Sequence, residues 1–370
     1  MKARTLALKV SLALIVFGGT ASALILHLIL ASAHKAPPSG AGPPGTAQVL
    51  GNCIMVPHAC GFPDATNTGV PSGTALRSVP GQVSSGPGWH FDSGGGYVVV
   101  TARGTVLSGL SIPGSLVIDA SDVTVQDVRV VTGEYFGISL RHTTGVTIED
   151  STISGQNLTS GRVNSAIDDI YGDSTGIVIK NNNISRFRTG VQVSTGLIAG
   201  NFIHRPGYIQ GDHTNGIYVA GTTEPLTIYG NTIFNDLGQT DDINLDASSS
   251  GQDVANKIVV DNLLAGGGYS IYGGGSRNDR TSNIVIEDNE FGRLYYPKGG
   301  QYGPAAYVNP WQAGNVWSGN VWSGNVWSGN VWSGTRLPGK VLRGRLQPVT
   351  VPPRVPRSGA RPGGAAAAAG

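Results

Sequence analysis

The chain has 370 residues, of which 56 are glycine and only 13% are charged, and no stretch repeats apolar residues at helical spacing, so a helical protein is excluded. The formal net charge is +2, but basic residues gather at the ends: residues 1–48 hold four and residues 335–370 hold seven, with no acidic residue in either. The segment between them keeps 14 of the 25 basic residues and all 23 acidic ones, a net charge of −9 that repels phosphate groups, so no nucleic-acid partner is expected.

The first predicted element is an uncharged N-terminal segment. Lys2, Arg4 and Lys9 precede residues 10–33, a stretch of 24 residues without formal charge that ends in Ala-Ser-Ala. A basic flank, an apolar centre and a small-residue end are typical of a cleaved secretory signal peptide, while the same length also suffices for a retained transmembrane anchor. Both interpretations predict a protein that is secreted or anchored to the outer face of the cytoplasmic membrane, with membrane contact only through segment 1–33.

A linker and a short leading segment are predicted next. Residues 34–48 are rich in proline and glycine, which is typical of a flexible to extended linker, and residues 49–74 are expected to lead into the folded domain or cap it. Cys53 and Cys60, the two cysteines of the chain, lie in this leading segment. In an oxidising compartment their pairing in a disulfide is the natural interpretation, and two free thiols are the alternative.

Residues 75–317 carry a ragged repeat. An eight-residue pattern rich in β-branched residues begins at positions 123, 146, 177, 196, 226, 258 and 284. A second short apolar stretch lies between successive copies, at positions 137, 166, 190, 216, 242 and 269. Such self-similarity is the mark of a solenoid, in which each unit buries its apolar face by stacking on the next unit.

The repeat also predicts which side chains stack. The first and third residues of each copy are apolar and are expected to point inward, so we predict one inward column that contains Val125, Ile148, Ile179, Ile228, Val260 and Ile286. The sixth residue is asparagine at positions 182, 201, 231 and 289. Stacked asparagines at a repeated turn can hydrogen-bond along the solenoid and satisfy the bent backbone.

This repeat, together with the leading sequence GFPDATNTGVPSGTAL at 61–76, resembles the parallel β-helix proteins of the pectate-lyase-like superfold, and more narrowly their secreted actinobacterial members. The resemblance covers about residues 60–317 and implies an all-β, right-handed parallel β-helix with an outward groove in which carbohydrate chains commonly lie. It implies little more about function, because the superfold hosts lyases, hydrolases, epimerases, tailspikes and adhesins.

The candidate catalytic residues lie on the second strands and in the turns beside them: Asp168, Asp169, Asp212, His213, Asp241 and Asp242. Stacking is expected to bring them to one side of the solenoid, where paired carboxylates could act as general acid and base on a glycosidic bond. Alternatively, Asp241, Asp242 and Asp246 could hold Ca²⁺, which takes several oxygen ligands. The third interpretation is structural, since aspartate is an ordinary turn residue in a glycine-rich solenoid.

Sugar-binding candidates accompany these acids. Tyr218 and Tyr272 fall at outward positions, where an aromatic ring can stack on a sugar, and Asn244 lies in the same strip. The motif set of polygalacturonases is incomplete, because the Asp-Asp at 168–169 is followed by neither Gly-His-Gly nor Arg-Ile-Lys. Two functions stay open: a protein that binds polysaccharide along an acidic groove and cleaves it as a lyase or glycoside hydrolase, and a non-catalytic cell-surface glycan-binding or scaffold protein.

The last predicted elements are a short perfect repeat and a basic tail. Residues 314–334 contain Asn-Val-Trp-Ser-Gly four times, and the first copy falls where the next coil is due. We interpret residues 318–334 as a tandem duplication beyond the solenoid; the alternative is one terminal coil of the pentapeptide-repeat kind. Residues 335–370 are basic and rich in proline and alanine, which indicates a reading-frame slip and predicts a disordered tail.

Overall fold

The computed structural model describes residues 53–156, 163–245, 253–275, 281–309, 312–322 and 325–326. The predicted signal or anchor segment, the linker and the basic tail lie outside these residues. Among the residues described, no helix is long and apolar enough to cross a membrane. Helical structure in the same residues is limited to one turn of 3-10 helix at Pro57–Cys60.

The strands of the described residues follow in chain order: β1 Arg77–Ser78, β2 Ser85–Gly86, β3 Trp89–Asp92, β4 Tyr97–Val100, β5 Val106–Ser108, β6 Leu110–Ile112, β7 Leu116–Ile118, β8 Thr124–Gln126, β9 Arg129–Thr132, β10 Phe136–Leu140, β11 Thr147–Glu149, β12 Thr152–Gly155, β13 Val163–Asp169, β14 Val178–Lys180, β15 Asn183–Ser185, β16 Phe187–Gln192, β17 Gly196–Ala199, β18 Phe202–His204, β19 Thr214–Val219, β20 Leu226–Tyr229, β21 Thr232–Asn235, β22 Thr240–Leu245, β23 Val254–Val260, β24 Leu263–Gly266, β25 Tyr269–Tyr272, β26 Thr281–Glu287, β27 Glu290–Phe291, β28 Gly303–Ala306, β29 Val316–Ser318, β30 Val321–Trp322 and β31 Asn325–Val326.

These strands form three long sheets. Sheet A has the order β1-β6-β9-β12-β15-β18-β21-β24-β27-β30-β31, sheet B the order β2-β3-β4-β7-β10-β13-β16-β19-β22-β25-β28, and sheet C the order β5-β8-β11-β14-β17-β20-β23-β26-β29. From β8 onward the chain visits sheets C, A and B in turn, and the neighbours within a sheet pair in parallel, as β11 does with β14. Antiparallel pairing occurs at the ends, in β2-β3-β4 and between β30 and β31. The predicted all-β solenoid of parallel sheets is therefore confirmed.

The inward side chains of the three sheets form one continuous apolar core, in which Ile138 of sheet B, Ile148 of sheet C and Ile153 of sheet A are fully buried. In sheet C the register stacks Val125, Ile148, Ile179, Ile198, Ile228, Val259, Ile286 and Trp317. The predicted column is confirmed except at Val260. That residue pairs with Tyr229 and Glu287 instead, one position away from the inward column.

The error at Val260 has its physical cause in a buried lysine. The repeat in this coil begins at Lys257 rather than at Ile258, so that Lys257 takes an inward position and is fully buried. Its Nζ donates hydrogen bonds to Ser194 O at 3.2 Å and to Thr222 Oγ1 at 3.1 Å, and also to Glu224 O. These oxygens satisfy the ammonium group, while burial lowers the lysine pKa to about 8.

An asparagine ladder runs along the corner between sheets C and A, as the sequence predicted. Its fully buried members are Asn182, Asn201, Asn231, Asn262, Asn289 and Asn320. From Asn201 onward, each Oδ1 accepts from the backbone amide and the Nδ2 of the preceding asparagine, for example Asn231 Oδ1 from Asn201 N at 2.9 Å and from Asn201 Nδ2 at 3.0 Å; Asn182 Oδ1 accepts from the Ser151 amide at 3.0 Å. Each Nδ2 also donates to the carbonyl of the inward residue one coil earlier, as Asn231 does to Ile198 O at 3.0 Å. The turn backbone is therefore satisfied without water.

The first two copies of the Asn-Val-Trp-Ser-Gly repeat belong to the solenoid. β29 pairs with β26, so that Trp317 continues the inward column and its ring stacks on Phe291 at 6.0 Å. Gly319 has φ +61°, a left-handed turn that glycine adopts without strain, and Asn320 is the last ladder member among the described residues. β30 then pairs with β27 in sheet A. Five residues thus carry the chain from an inward residue of one sheet, around the asparagine corner, to the next sheet.

Residues 53–76 form a strap across the outer side of sheet A. The strap begins with the Cys53–Cys60 disulfide, which confirms the predicted pairing. Phe62 packs outside the main core in a second apolar cluster with Phe202, Phe234, Leu263 and Ala265 of sheet A. Farther along, the Val70 amide donates to Thr152 Oγ1 at 3.1 Å. The leading segment therefore covers part of the outer face of sheet A.

Candidate functional site

A local irregularity in sheet B places polar side chains in pairs on the outer side of the sheet, where several of them, Asp168 and Asp241 included, are buried. In β19 both Gly216 and Ile217 face the interior: a β-carbon at Gly216 would meet the Ile233 side chain, and Ile217 is part of the core. The two residues that flank such an inward pair are three positions apart in sequence, and both lie on the outer side of sheet B. In β22 these residues are Asp241 and Asn244, and Asn244 Nδ2 donates a hydrogen bond to Asp241 Oδ2 at 2.8 Å.

The outer residues stack into two columns along sheet B, which we call together the outer stripe. The first column, in register from β10 to β25, consists of Ser139, Asp168, Gln192, Tyr218, Asn244 and Tyr272. The second column contains Ser165, Thr189, Asn215 and Asp241. Successive members of a column are about 4.8 Å apart, the spacing of neighbouring strands. The structure thus places the predicted residues Asp168, Tyr218, Asn244 and Tyr272 in one line, with Asp241 beside them.

Four tyrosines gather at the β25 end of the outer stripe. Tyr269 and Tyr272 lie edge to face with their ring centroids 5.6 Å apart. Tyr302 lies 5.8 Å from Tyr269, and Tyr307 stacks on Tyr272 at 5.5 Å. We call these four residues the tyrosine cluster. Since Tyr302 is 55% exposed and Tyr307 is 57% exposed, the cluster offers ring faces to the solvent.

Tyr307 is held in a conformation that a bulky residue rarely adopts. Its φ is +52°, in the left-handed region, which costs about 1–2 kcal/mol for a residue with a side chain. An exposed aromatic ring kept at this cost points to a role other than stability.

We expect Tyr307→Gly to leave the melting temperature unchanged or slightly raised. Glycine removes the left-handed strain, and this gain offsets the loss of ring stacking on Tyr272, about 0.5–1.5 kcal/mol. Thermal unfolding followed by circular dichroism measures the effect. A fall of more than about 5 °C, which corresponds to about 2 kcal/mol in a domain of this size, would show that the ring serves mainly to stabilise the fold.

Asp168 is the carboxyl group of the first column. The residue is 2% exposed, and its burial raises the pKa to about 6, against the lowering effect of a hydrogen bond from Ser165. The neighbouring Asp169 raises the same pKa further, and Arg188 lowers it. The carboxyl group therefore changes its protonation state near pH 6, within the range in which it can act either as a charged ligand or as a proton donor.

Three of the other predicted catalytic residues have different surroundings. Asp169 ends β13, where Oδ2 accepts from Ser174 N at 3.0 Å and Oδ1 accepts from Ser174 Oγ at 2.8 Å. Asp212 Oδ2 accepts from the Ile209 amide at 2.9 Å, and His213 is exposed in the loop before β19. Asp169 and Asp212 thus close turns, in agreement with the structural interpretation of these aspartates, and the structure does not bring them into the outer stripe.

Asp242 faces the interior, although it directly follows Asp241. It occupies the inward position next to Gly216 in the neighbouring strand and is fully buried. Burial raises its pKa well above the ordinary value, and the nearby Ser270 hydroxyl and two backbone groups counteract this only in part. Within the described residues, neither carboxyl oxygen makes a hydrogen bond of good geometry.

The predicted calcium site is therefore not assembled by its two described members. Asp241 and Asp242 lie on opposite sides of β22, and Asp246 falls outside the described residues. In the part of the chain that the structure describes, no three His, Cys, Asp or Glu side chains cluster in a way that could hold a metal ion.

Sequence reasoning missed part of this site. Gln192 of the first column carried no signal beyond its place in a second strand. Tyr302 and Tyr307 flank β28, whose sequence Gly-Pro-Ala-Ala does not indicate a strand. The signal that could have found them is the spacing of the coils, because a further strand of sheet B is due about 30 residues after Tyr272.

The site is a surface rather than a pocket. A cavity of about 10 Å³ lies between sheets A and B, lined by residues that include Arg186, His204 and Asn215, and this volume holds about one water molecule. A ligand of the outer stripe must therefore lie along sheet B.

Fold and site together define the class: a parallel β-helix protein with a shallow, tyrosine-bearing outer face. Comparison with known proteins does not narrow this class, since no protein-family model matches the chain and neither a curated protein nor a solved structure is detectably similar to it. The structure thus supports a parallel β-helix, whereas the resemblance to the pectate-lyase-like superfold and to its actinobacterial members rests on the sequence patterns alone.

Proposed function

We propose that this protein binds a polysaccharide along the outer stripe of sheet B. The observation that carries the proposal is the continuity of the tyrosine cluster with the polar column through Asn244, Tyr218, Gln192 and Asp168. A row of hydrogen-bonding side chains that ends in exposed aromatic rings suits an extended sugar chain, whose ring faces are apolar and whose edges carry hydroxyl groups. A parallel β-helix fits a protein of this kind.

The spacing of the carboxyl groups favours binding over two-carboxylate hydrolysis. Asp168 and Asp241, the two acids of the outer stripe, lie on β13 and β22, three strand steps apart in sheet B. Three steps correspond to about 14 Å, whereas glycosidases hold their two carboxyl groups about 5–9.5 Å apart. We therefore favour the non-catalytic alternative and expect no release of reducing ends from a bound polysaccharide.

We also propose that the protein acts outside the cytoplasm. The basic flank and uncharged segment of residues 1–33 support this proposal. The Cys53–Cys60 disulfide supports it independently, because disulfides persist in oxidising compartments. The acidic balance of segment 49–334 supports a glycan rather than a nucleic acid as the partner.

The proposed function is tested with two tyrosine variants from one coil. Tyr218 of β19 is half-buried on the outer side of sheet B, and Tyr229 of β20 is half-buried on the outer side of sheet C. We expect Tyr218→Ala to weaken polysaccharide binding at least about tenfold, or about 1.4 kcal/mol, and Tyr229→Ala to leave it unchanged. Affinity electrophoresis in gels that contain neutral, amino or acidic polysaccharides measures the retardation of each variant.

The possible results of this comparison distinguish binding at the outer stripe from binding elsewhere. Equal weakening by both variants would place the binding surface elsewhere or show a general loss of folding, which thermal unfolding of the two variants distinguishes. Retardation of the wild-type protein by none of the polysaccharides would overturn the proposed function.

A further inference from the structure

The tyrosine cluster differs in chemistry from the rest of the outer stripe. It joins four electron-rich rings to the buried carboxyl group of Asp241, whereas toward its other end the stripe combines Asp168 with Arg188. We propose that the tyrosine cluster, with Asp241 behind it, is a subsite for an alkylammonium group, namely the protonated amine of an amino sugar in a polysaccharide. This inference deepens the proposed function and rests on it for the polymeric part of the ligand.

The geometry of the rings suits a cation. Tyr269 and Tyr272 meet at an interplanar angle of 81°, and Tyr307 lies nearly parallel to Tyr272, at 21°. A cation within about 6 Å of a ring centroid is attracted by the negative face of that ring. Because the centroids are separated by 5.5–5.8 Å, an ammonium group on the exposed side of Tyr302 or Tyr307 has further rings close behind the first.

One carboxyl group lies beside the cluster, since Asn244, the register partner of Tyr272, donates a hydrogen bond to Asp241 Oδ2 at 2.8 Å. Asp241 is fully buried, yet it is close enough that its charge adds to the effect of burial in raising the Tyr272 pKa to about 12. A negative charge at Asp241 is shielded from the solvent and therefore attracts a cation more strongly than it would in water.

The same arrangement selects against the other sugar classes. A uronate would bring a carboxylate toward Asp241, and like charges at short range cost free energy. A neutral sugar would gain ring stacking alone. An amino sugar gains stacking from its ring face and a cation–π interaction from its amine.

Calorimetry with paired ligands on the full chain tests the inference. The ligands are a glucosamine oligosaccharide, the N-acetylglucosamine oligosaccharide of the same length, and tetramethylammonium, which carries the cation without a sugar. We expect the protein to bind the amine form at least about tenfold more tightly than the acetylated form at low salt, with the difference reduced at about 0.5 M salt.

Two variants assign this preference to the cluster. Asp241→Asn removes the charge but keeps an oxygen that can accept from Asn244, and we expect it to abolish the preference while binding of the acetylated form is unchanged. Tyr307→Gly changes an exposed ring, so it remains informative if Asp241→Asn does not fold, and we expect it to reduce the preference as well. Asp119→Asn, an exposed acid outside the stripe, is the matched control and should retain the preference.

The outcomes separate this inference from the proposed function. Equal affinity for the two oligosaccharides, or a preference that survives both variants, overturns the ammonium subsite and leaves polysaccharide binding intact. Binding of neither oligosaccharide excludes glucosamine polymers as the ligand, and the proposed function then stands or falls with the gel retardation by the other polysaccharides. In that case tetramethylammonium decides the subsite: binding that depends on Tyr307 and Asp241 supports it and points to a small quaternary amine, and no binding overturns it.

Discussion

Replacing Asn231 by leucine in the middle of the asparagine ladder should lower the free energy of unfolding by about 2–4 kcal/mol. The change removes the acceptor of the Asn201 backbone amide at 2.9 Å and the donor to Ile198 O at 3.0 Å. A buried amide left without a partner costs about 1–3 kcal/mol, and each further lost hydrogen bond about 1 kcal/mol. Leucine has the same branching and the same number of side-chain heavy atoms as asparagine but cannot accept or donate a hydrogen bond, so the loss reports mainly on the ladder.

A second asparagine serves as the control for this prediction. Asn183 lies on the outer side of sheet A, where Oδ1 bonds to His204 Nε2 at 3.0 Å, and Asn183→Leu should cost less than about 1 kcal/mol. Guanidinium denaturation of both variants measures the difference. Similar losses for the two variants would mean that the ladder does not stabilise the solenoid more than an ordinary surface hydrogen bond does.

The ladder also explains why the fold could be predicted from the sequence. The asparagine at the sixth position and the apolar residues at the first and third positions stabilise each coil. The residues that recur in the sequence are therefore the same residues that stabilise the fold. The pattern predicted the wrong inward residues in one coil, where Ile258 was interpreted as the first apolar residue of the repeat. In the structure Lys257 occupies the first inward position of this coil. A buried lysine is stable there because Ser194, Thr222 and Glu224 supply oxygens that accept its hydrogen bonds. No local sequence pattern indicates these contacts.

The candidate site was predictable only in part. Tyr218, Asn244 and Tyr272 follow the strand repeat, so their common line was accessible from sequence. Asp241 and Asp242 could not be separated in this way, because the strands of sheet B turn two successive residues inward and thereby break the alternation that sequence reasoning assumes. Tyr302 and Tyr307 lie near Tyr272 because of a loop conformation and the register of sheet B. Neither of these can be predicted from a local sequence pattern.

Replacing Asp242 by alanine should stabilise the protein. The Asp242 side chain is buried between the positions of Gly216 and Ser270, and the equivalent position in β13 is Ala166, which is also fully buried. We expect Asp242→Ala to raise the free energy of unfolding at pH 8 by about 1–3 kcal/mol, the usual cost of a buried polar group without good hydrogen bonds. An alanine at this position fits the core, since Ala166 already does so in the same sheet.

The stability gained by Asp242→Ala should increase with pH. Burial raises the folded-state pKa of Asp242 well above 3.8, the value of an exposed aspartate. The folded protein therefore keeps this proton over a pH range in which the unfolded chain has released it. The contribution of Asp242 to stability is most favourable below about pH 4 and declines as the pH rises from 3.8 toward the folded-state pKa. The advantage of alanine should accordingly be small at pH 3 and grow toward pH 8.

Guanidinium denaturation of the wild-type protein and Asp242→Ala across this pH range measures the effect, and the difference between the two proteins cancels the titration of all other groups. Asp119→Ala, at an exposed aspartate, provides the control and should show no such growth. A difference for Asp242→Ala that stays constant with pH would contradict the raised pKa and would imply that the carboxylate is stabilised in its charged form. A variant less stable than the wild type at every pH would show that Asp242 makes contacts that alanine cannot replace, and that the interior of β22 is built around its carboxyl group.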